Sequence, residues 1–198
     1  MNIYSFKKGF TLVELLIVIA ILAVLAAAVV IVLNPGELLA QARDSQRLSD
    51  MDTLKNALTI YIAQVPSPSL GAACVSPTTD GCCNVAACTT GFTGGVGDTV
   101  VRTGNAVDGT GWVDVNLTTM AGGSPIPFLP MDPSSTTTYF YAYASTASPT
   151  NTFELNARLE SQKHRDKMKN DGGDDSACTS YTGADCFYEV GTDPALNL

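Results

Sequence analysis

The apolar residues of this chain are concentrated at one end. Leu15–Leu33, LLIVIAILAVLAAAVVIVL, runs without a charged side chain, and as a helix it is long enough to cross a bilayer core of roughly 30 Å. Nothing downstream approaches it, so the pattern predicts a single membrane segment near the N-terminus. From Glu37 the spacing changes. Leu38, Ala42, Leu48, Met51, Leu54, Leu58, Tyr61 and Val65 recur at intervals near three and four, with Leu39, Ala57 and Ile62 beside them. That spacing predicts an amphipathic helix with one buried stripe. Arg43, Asp44, Arg47, Asp50, Asp52 and Lys55 lie between, and Arg47–Asp50 and Asp52–Lys55 are expected to pair at i,i+3. Asn34-Pro35-Gly36 separates the two helices and predicts a kink or a short melted segment. Pro66 and Pro68 end the second helix.

Past Gly71 the chain turns rich in Gly, Ser, Thr and Pro, with short strand-like runs. DTVVRT and GWVDVNL are candidate strands. TYFYAYA alternates Tyr139, Tyr141 and Tyr143 with Phe140, Ala142 and Ala144. In FELNARLE, Phe153, Leu155, Ala157 and Leu159 point one way, and Glu154, Asn156, Arg158 and Glu160 the other. STASPTNT reads as the hairpin loop between these two strands, and CFYEVG as a further strand. A small antiparallel sheet with one apolar face needs a cover, which the amphipathic helix supplies. The expected class is therefore α+β: a long N-terminal helix, apolar then amphipathic, packed on a small antiparallel sheet with disulfide-stapled loops.

Charge and cysteine content refine this picture. The formal charge is −8, and without Lys7 and Lys8 it becomes −10, which argues against nucleic acid as the default partner. The six cysteines, Cys74, Cys82, Cys83, Cys88, Cys178 and Cys186, all follow the apolar run. No C-x-x-C pair is present and His164 is the single histidine, so disulfides are favoured over a metal centre. Lysines ahead of the apolar run favour a cytoplasmic N-terminus and an exported C-terminal domain, where disulfides persist. Cys178 and Cys186 are expected to close a small loop near the C-terminus. Three connectivities are open among the other four, and strain in a vicinal 82–83 bond favours Cys74 and Cys88 each bonding one of the middle pair.

A secretory signal is cut after its apolar region, near small residues. This chain offers a different junction, Lys7-Lys8-Gly9 followed by Phe10-Thr11-Leu12-Val13-Glu14 and the apolar run. The segment resembles the class III leaders of type IV prepilins and type II secretion pseudopilins. The resemblance implies cleavage between Gly9 and Phe10 by a prepilin peptidase, N-methylation of Phe10, and retention of the helix. It divides the chain into a leader (1–9), a membrane or filament-core helix (10–33), the amphipathic half of the spine (34–65) and a globular head (66–198). Glu14 follows Phe10 by four residues. In staggered subunits its carboxylate would meet the terminal amine of a neighbouring Phe10. An unpaired buried charge costs roughly 3–5 kcal/mol, so the pair would act as a register check.

The remaining motifs are weaker. LPMDP, Leu129–Pro133, resembles a Pro/Asp-rich turn ahead of the sheet in major pseudopilins. Asp171, Asp174 and Asp175 in NDGGDDSAC are oxygen donors without EF-hand order. A solvated turn is the expectation there and a calcium site the alternative; no other cofactor is expected. KHRDKMK, residues 163–169, reads as an exposed basic loop, or else an adhesive or DNA-contacting patch. Asn116 heads an N-x-T glycosylation consensus, and PSSTTT is a candidate for O-linked sugar; neither is assigned a role. GFTGGVGD lacks a phosphate-loop order, and His164 has no recognisable catalytic partner, so no enzyme is expected. The resulting expectation is a structural subunit, a major pilin. It would sit in the cytoplasmic membrane before assembly and in an extracellular filament afterwards. Identical subunits, the peptidase, an assembly ATPase and a platform protein would be its partners. The alternatives are a major pseudopilin, or a minor pilin with an adhesive or DNA-binding head.

Overall fold

The computed structural model describes residues 9–71, 75–76, 82–83, 100–146, 148–173 and 186–193. The chain divides into two units, after Leu39. In the first, helix α1 (Leu12–Leu33) buries none of its residues. Its 22 residues are long and apolar enough to cross a membrane. The interruption at Asn34 is sharper than a melted segment. Asn34 alone takes a left-handed conformation, φ 41°, as the C-cap of α1. Pro35 then opens helix α2 (Pro35–Gln64), a position where its missing N–H costs nothing.

The second unit is built on a six-stranded sheet: β1 (Val75–Ser76), β2 (Cys82–Cys83), β3 (Val100–Val101), β4 (Tyr141–Thr146), β5 (Phe153–Ala157) and β6 (Tyr188–Gly191), in the order β3-β2-β4-β5-β6. The expected hairpin is present, with Tyr143 opposite Leu155 and Ser145 opposite Phe153. The sheet is mixed rather than antiparallel. β1 runs parallel to one end of β4, while β2 pairs antiparallel with the other end and parallel with β3.

One face carries Cys82, Tyr141, Tyr143, Phe153, Leu155, Ala157 and Val190, packed with Met51, Leu54, Ala57, Leu58 and Tyr61 of α2. GWVDVNL, expected as a strand, instead forms bends, a single bridge from Asp108 to Asn116 and a short 3-10 helix (Leu117–Thr119). Its apolar residues still enter the core: Trp112, Val113, Val115 and Leu117 are fully buried. Trp112 donates its indole N–H to the Pro130 carbonyl at 2.9 Å. Gly111 is required by this close approach, since a Cβ there would lie 2.2 Å from the Ala106 carbonyl oxygen.

The other face departs from the sequence expectation. Phe140, Ala142, Ala144, Phe187 and Cys83 form a second apolar cluster, and Glu154, Asn156, Arg158 and Glu189 are buried beside it. An alternating strand signals one polar face but not whether that face meets solvent. Arg158 satisfies its charge internally, over the Phe187 ring at 4.6 Å and donating to the Cys186 and Thr138 carbonyls. Cys82 and Cys83 point to opposite faces, as neighbours in a strand must. Cys74, Cys88 and Cys178 lie outside the described residues, and so does the pairing expected for them.

Candidate functional site

Two constellations stand out, one in each unit. The first is built on the start of α1. Gly9 precedes the helix, and a Cβ added there would meet nothing within 4 Å. Nothing in the described fold itself therefore requires glycine at this position. Phe10 is 88% exposed. Thr11 is the N-cap of α1 and Glu14 its N3 residue, and together they close a capping box. The Thr11 hydroxyl accepts the Glu14 backbone N–H at 3.2 Å. One Glu14 carboxylate oxygen accepts the Thr11 backbone N–H at 2.9 Å and the Thr11 hydroxyl at 2.8 Å.

The carboxylate is thus held at the positive end of the helix by its own chain. The pairing expected between Glu14 and a neighbour's amine requires a second copy. Thr11 was legible all along, because Thr-x-x-Glu ahead of an apolar run is the signature of this cap. The chemistry this end offers is an exposed peptide bond, a hydrophobic helix to keep it at a membrane, and a pre-oriented carboxylate one turn away.

The second constellation is a buried ionic anchor on α2. The expected stripe holds at Met51, Leu54, Leu58 and Tyr61, but toward the helix start it passes through Ala40, Asp44 and Arg47. Leu38, Leu39 and Ala42 are exposed instead. Arg47 is completely buried. Its Nε donates to Asp132 at 2.6 Å and its Nη2 to the other Asp132 oxygen at 3.1 Å. Nη1 donates to Asp44 at 2.8 Å, Nη2 also reaches the Ser134 hydroxyl at 3.1 Å, and the guanidinium lies 4.8 Å from the centre of the Tyr139 ring. Burial alone would lower the Arg47 pKa; Asp132 and Asp44 outweigh it and raise it.

Asp44 in turn accepts the backbone N–H groups of Glu160 and Ser161, the latter at 2.7 Å. Arg43 closes the outer edge, donating to Glu160 at 2.8 Å. The expected Arg47–Asp50 pair is therefore replaced: Arg47 turns to Asp44 and Asp132, and Asp50 accepts the Tyr141 hydroxyl at 2.8 Å. Asp52 and Lys55 form no ion pair among the described residues, though both line one cleft. Asp132 belongs to the LPMDP turn, so that turn is tied to the spine helix by a forked charge pair.

The other candidate residues are dispersed. Asp171 is half-buried and accepts the Glu189 N–H at 2.9 Å and the Gly173 N–H at 3.2 Å, and burial raises its pKa. Asp174 and Asp175 lie outside the described residues, and no group of metal-ligating side chains occurs among those described. His164 Nδ1 stands 3.9 Å from Asp44, inside the anchor rather than beside a nucleophile. Residues 165–169 form a 3-10 helix with Met168 buried. Asn116 is exposed and its side-chain oxygen caps the 117–119 helix.

Residues 5–30 match the family model of the prokaryotic N-terminal methylation motif. This is the motif of class III prepilin leaders, found in type IV pilins and pseudopilins, and it implies processing by a prepilin peptidase and anchoring in a membrane before assembly. The match stops within α1 and does not extend to the head. No curated protein and no solved structure matches the chain significantly.

Proposed function

We propose that this chain is a non-enzymatic structural subunit, a major pilin that polymerises into a type IV pilus-like filament after cleavage between Gly9 and Phe10. The observation that carries the reading is the methylation motif set on a helix with no buried residue. That helix needs lipid before assembly and other copies of itself afterwards. Glu14, held by Thr11, is the residue on which the stagger of neighbouring α1 helices turns, through the methylated Phe10 amine of the next subunit. The head faces outward and is stapled by disulfides, with Cys82 and Cys83 each bonding a different partner. An assembly ATPase and a platform protein drive extraction from the membrane.

The runner-up, a major pseudopilin of a type II secretion system, is favoured by the anchored LPMDP turn. The mass and N-terminal sequence of the protein in sheared surface fractions test both. A chain starting at N-methylated Phe10, abundant there and lighter by two hydrogens per disulfide, supports the major pilin. Cleaved protein confined to the membrane supports the pseudopilin. An intact Met1 leader in cells with a working peptidase overturns both.

A further inference from the structure

Asn116 is the single asparagine of the chain followed two places on by Ser or Thr with no proline between. Such a consensus is weak alone, so the placement of the residue decides what it means. Asn116 and Thr118 are exposed, and Leu117 between them is fully buried, fixing the segment to the core. The structural bonds of the Asn116 side chain use its oxygen alone. Oδ1 accepts the Thr118 backbone N–H at 3.1 Å and the Thr118 hydroxyl at 2.6 Å. Nδ2 donates to no group among the described residues, so a substituent on that nitrogen leaves both bonds in place.

The surroundings leave room for a large one. Across the Asp108–Asn116 bridge stands Gly109, φ 90°, where an added Cβ would already lie 3.6 Å from the Asn116 Cβ. Beyond Thr118 the chain turns through Met120 to Gly122 and Gly123, both exposed, where an added Cβ would meet nothing within 4 Å. No residue from Val115 to Met131 is charged, and Asp114 is paired with Arg102 at 3.1 Å. The Ser/Thr-rich turn differs: Ser134 accepts from Arg47, Ser135 donates to the Asp132 carbonyl, and Thr136 accepts the Tyr139 N–H.

We propose that Asn116 is an acceptor of N-linked carbohydrate, taken from a phosphate-activated lipid carrier at the outer face of the membrane. This rests on export of the head, which the filament reading shares. Nδ2 forms the bond to the anomeric carbon, and the bond from that carbon to the carrier's phosphate oxygen breaks. The phosphate leaves with the electron pair, and one Nδ2 proton passes to a base of the transferase. The two hydrogen bonds donated to Oδ1 draw electron density from the amide and ease loss of that proton. No bond of the folded head has to break to seat the sugar, which adds a bulky, hydrated group to an uncharged surface.

Mass spectrometry of the protein purified from the cells that make it tests the assignment, with the peptide bearing Asn116 fragmented so that the sugar stays attached. The expected result is a carbohydrate mass on Asn116, lost from Asn116→Asp and Thr118→Ala and kept in Thr118→Ser. Asn116→Asp retains an acceptor oxygen for Thr118, and an unchanged circular dichroism spectrum establishes that its head is folded. The Thr118→Ala and Thr118→Ser pair repeats the test with Asn116 itself intact. A bare Asn116 in cleaved protein at the cell surface overturns the proposal and leaves the filament reading standing. So does sugar found only on Thr118, Thr119 or the hydroxyls of residues 134–138. Sugar on Asn116 of a cleaved chain confined to the membrane supports the proposal and overturns the major-pilin reading. An intact leader together with a bare Asn116 overturns both.

Discussion

At the scale of single residues, the guanidinium of Arg47 is the most consequential group in the head. Removing it leaves Asp44 and Asp132 buried without their cation, so Arg47→Met is expected to lower unfolding stability by about 3–5 kcal/mol in denaturant titrations. Adding Asp132→Leu recovers part of that loss if the penalty comes from the stranded carboxylate. Glu160 supplies a pH signature. Its bond to Arg43 holds its pKa below the ordinary glutamate value of 4.5. Stability from the pair is therefore complete above that value and disappears as pH falls through the lower folded pKa. Wild type and Arg43→Gln should differ in thermal midpoint at neutral pH and converge in acid; a constant gap would disprove the linkage. At the other end of the chain, Thr11→Val removes the cap, at a cost of about 1 kcal/mol to the start of α1. Filament yield should fall with Thr11→Val and be retained with Thr11→Ser.

At the scale of elements, what could be read depended on whether a residue's neighbours lie in the same segment. The β4–β5 hairpin was legible because alternation and a turn-rich loop are local signals. α2 was legible from Met51 onward for the same reason. Asp44 and Arg47 misled because they occupy core positions of that helix, Arg47 bonded to Asp132, a residue 85 positions away, and Asp44 to the backbone of Glu160 and Ser161. The strand expected at 111–117 failed because its apolar residues pack into the core from an irregular loop, with only one bridge. Asn156 exposes the same limit. It sits mid-strand in β5, between Ala142 and Glu189, fully buried, and neither amide atom finds a hydrogen-bond partner among the described residues. Replacing it with valine removes an unsatisfied group and suits a strand. Asn156→Val is expected to raise stability by about 1–3 kcal/mol in chemical unfolding; a loss would mean that the amide is satisfied in solution.

At the scale of the whole molecule, the first unit is written in its sequence more openly than the second. A leader, a cap and an apolar helix are linear features, whereas the head depends on long-range charge pairs and on both faces of a sheet being covered. The proposed disulfides belong to this scale. With Cys82 and Cys83 on opposite faces, reduction would loosen both layers at once. Each bridge lost is expected to cost about 2–4 kcal/mol, read as a lower thermal midpoint in reductant. Lys55, Lys163 and Lys167 line one cleft beside the 165–169 helix, and Lys169 lies on that helix, an arrangement with a practical counterpart. Once Phe10 is methylated, amine-selective dyes, biotin reagents and activated surfaces would find their targets around the one cleft beside the 165–169 helix. Heads tethered by such coupling would be held on the side of the 165–169 helix.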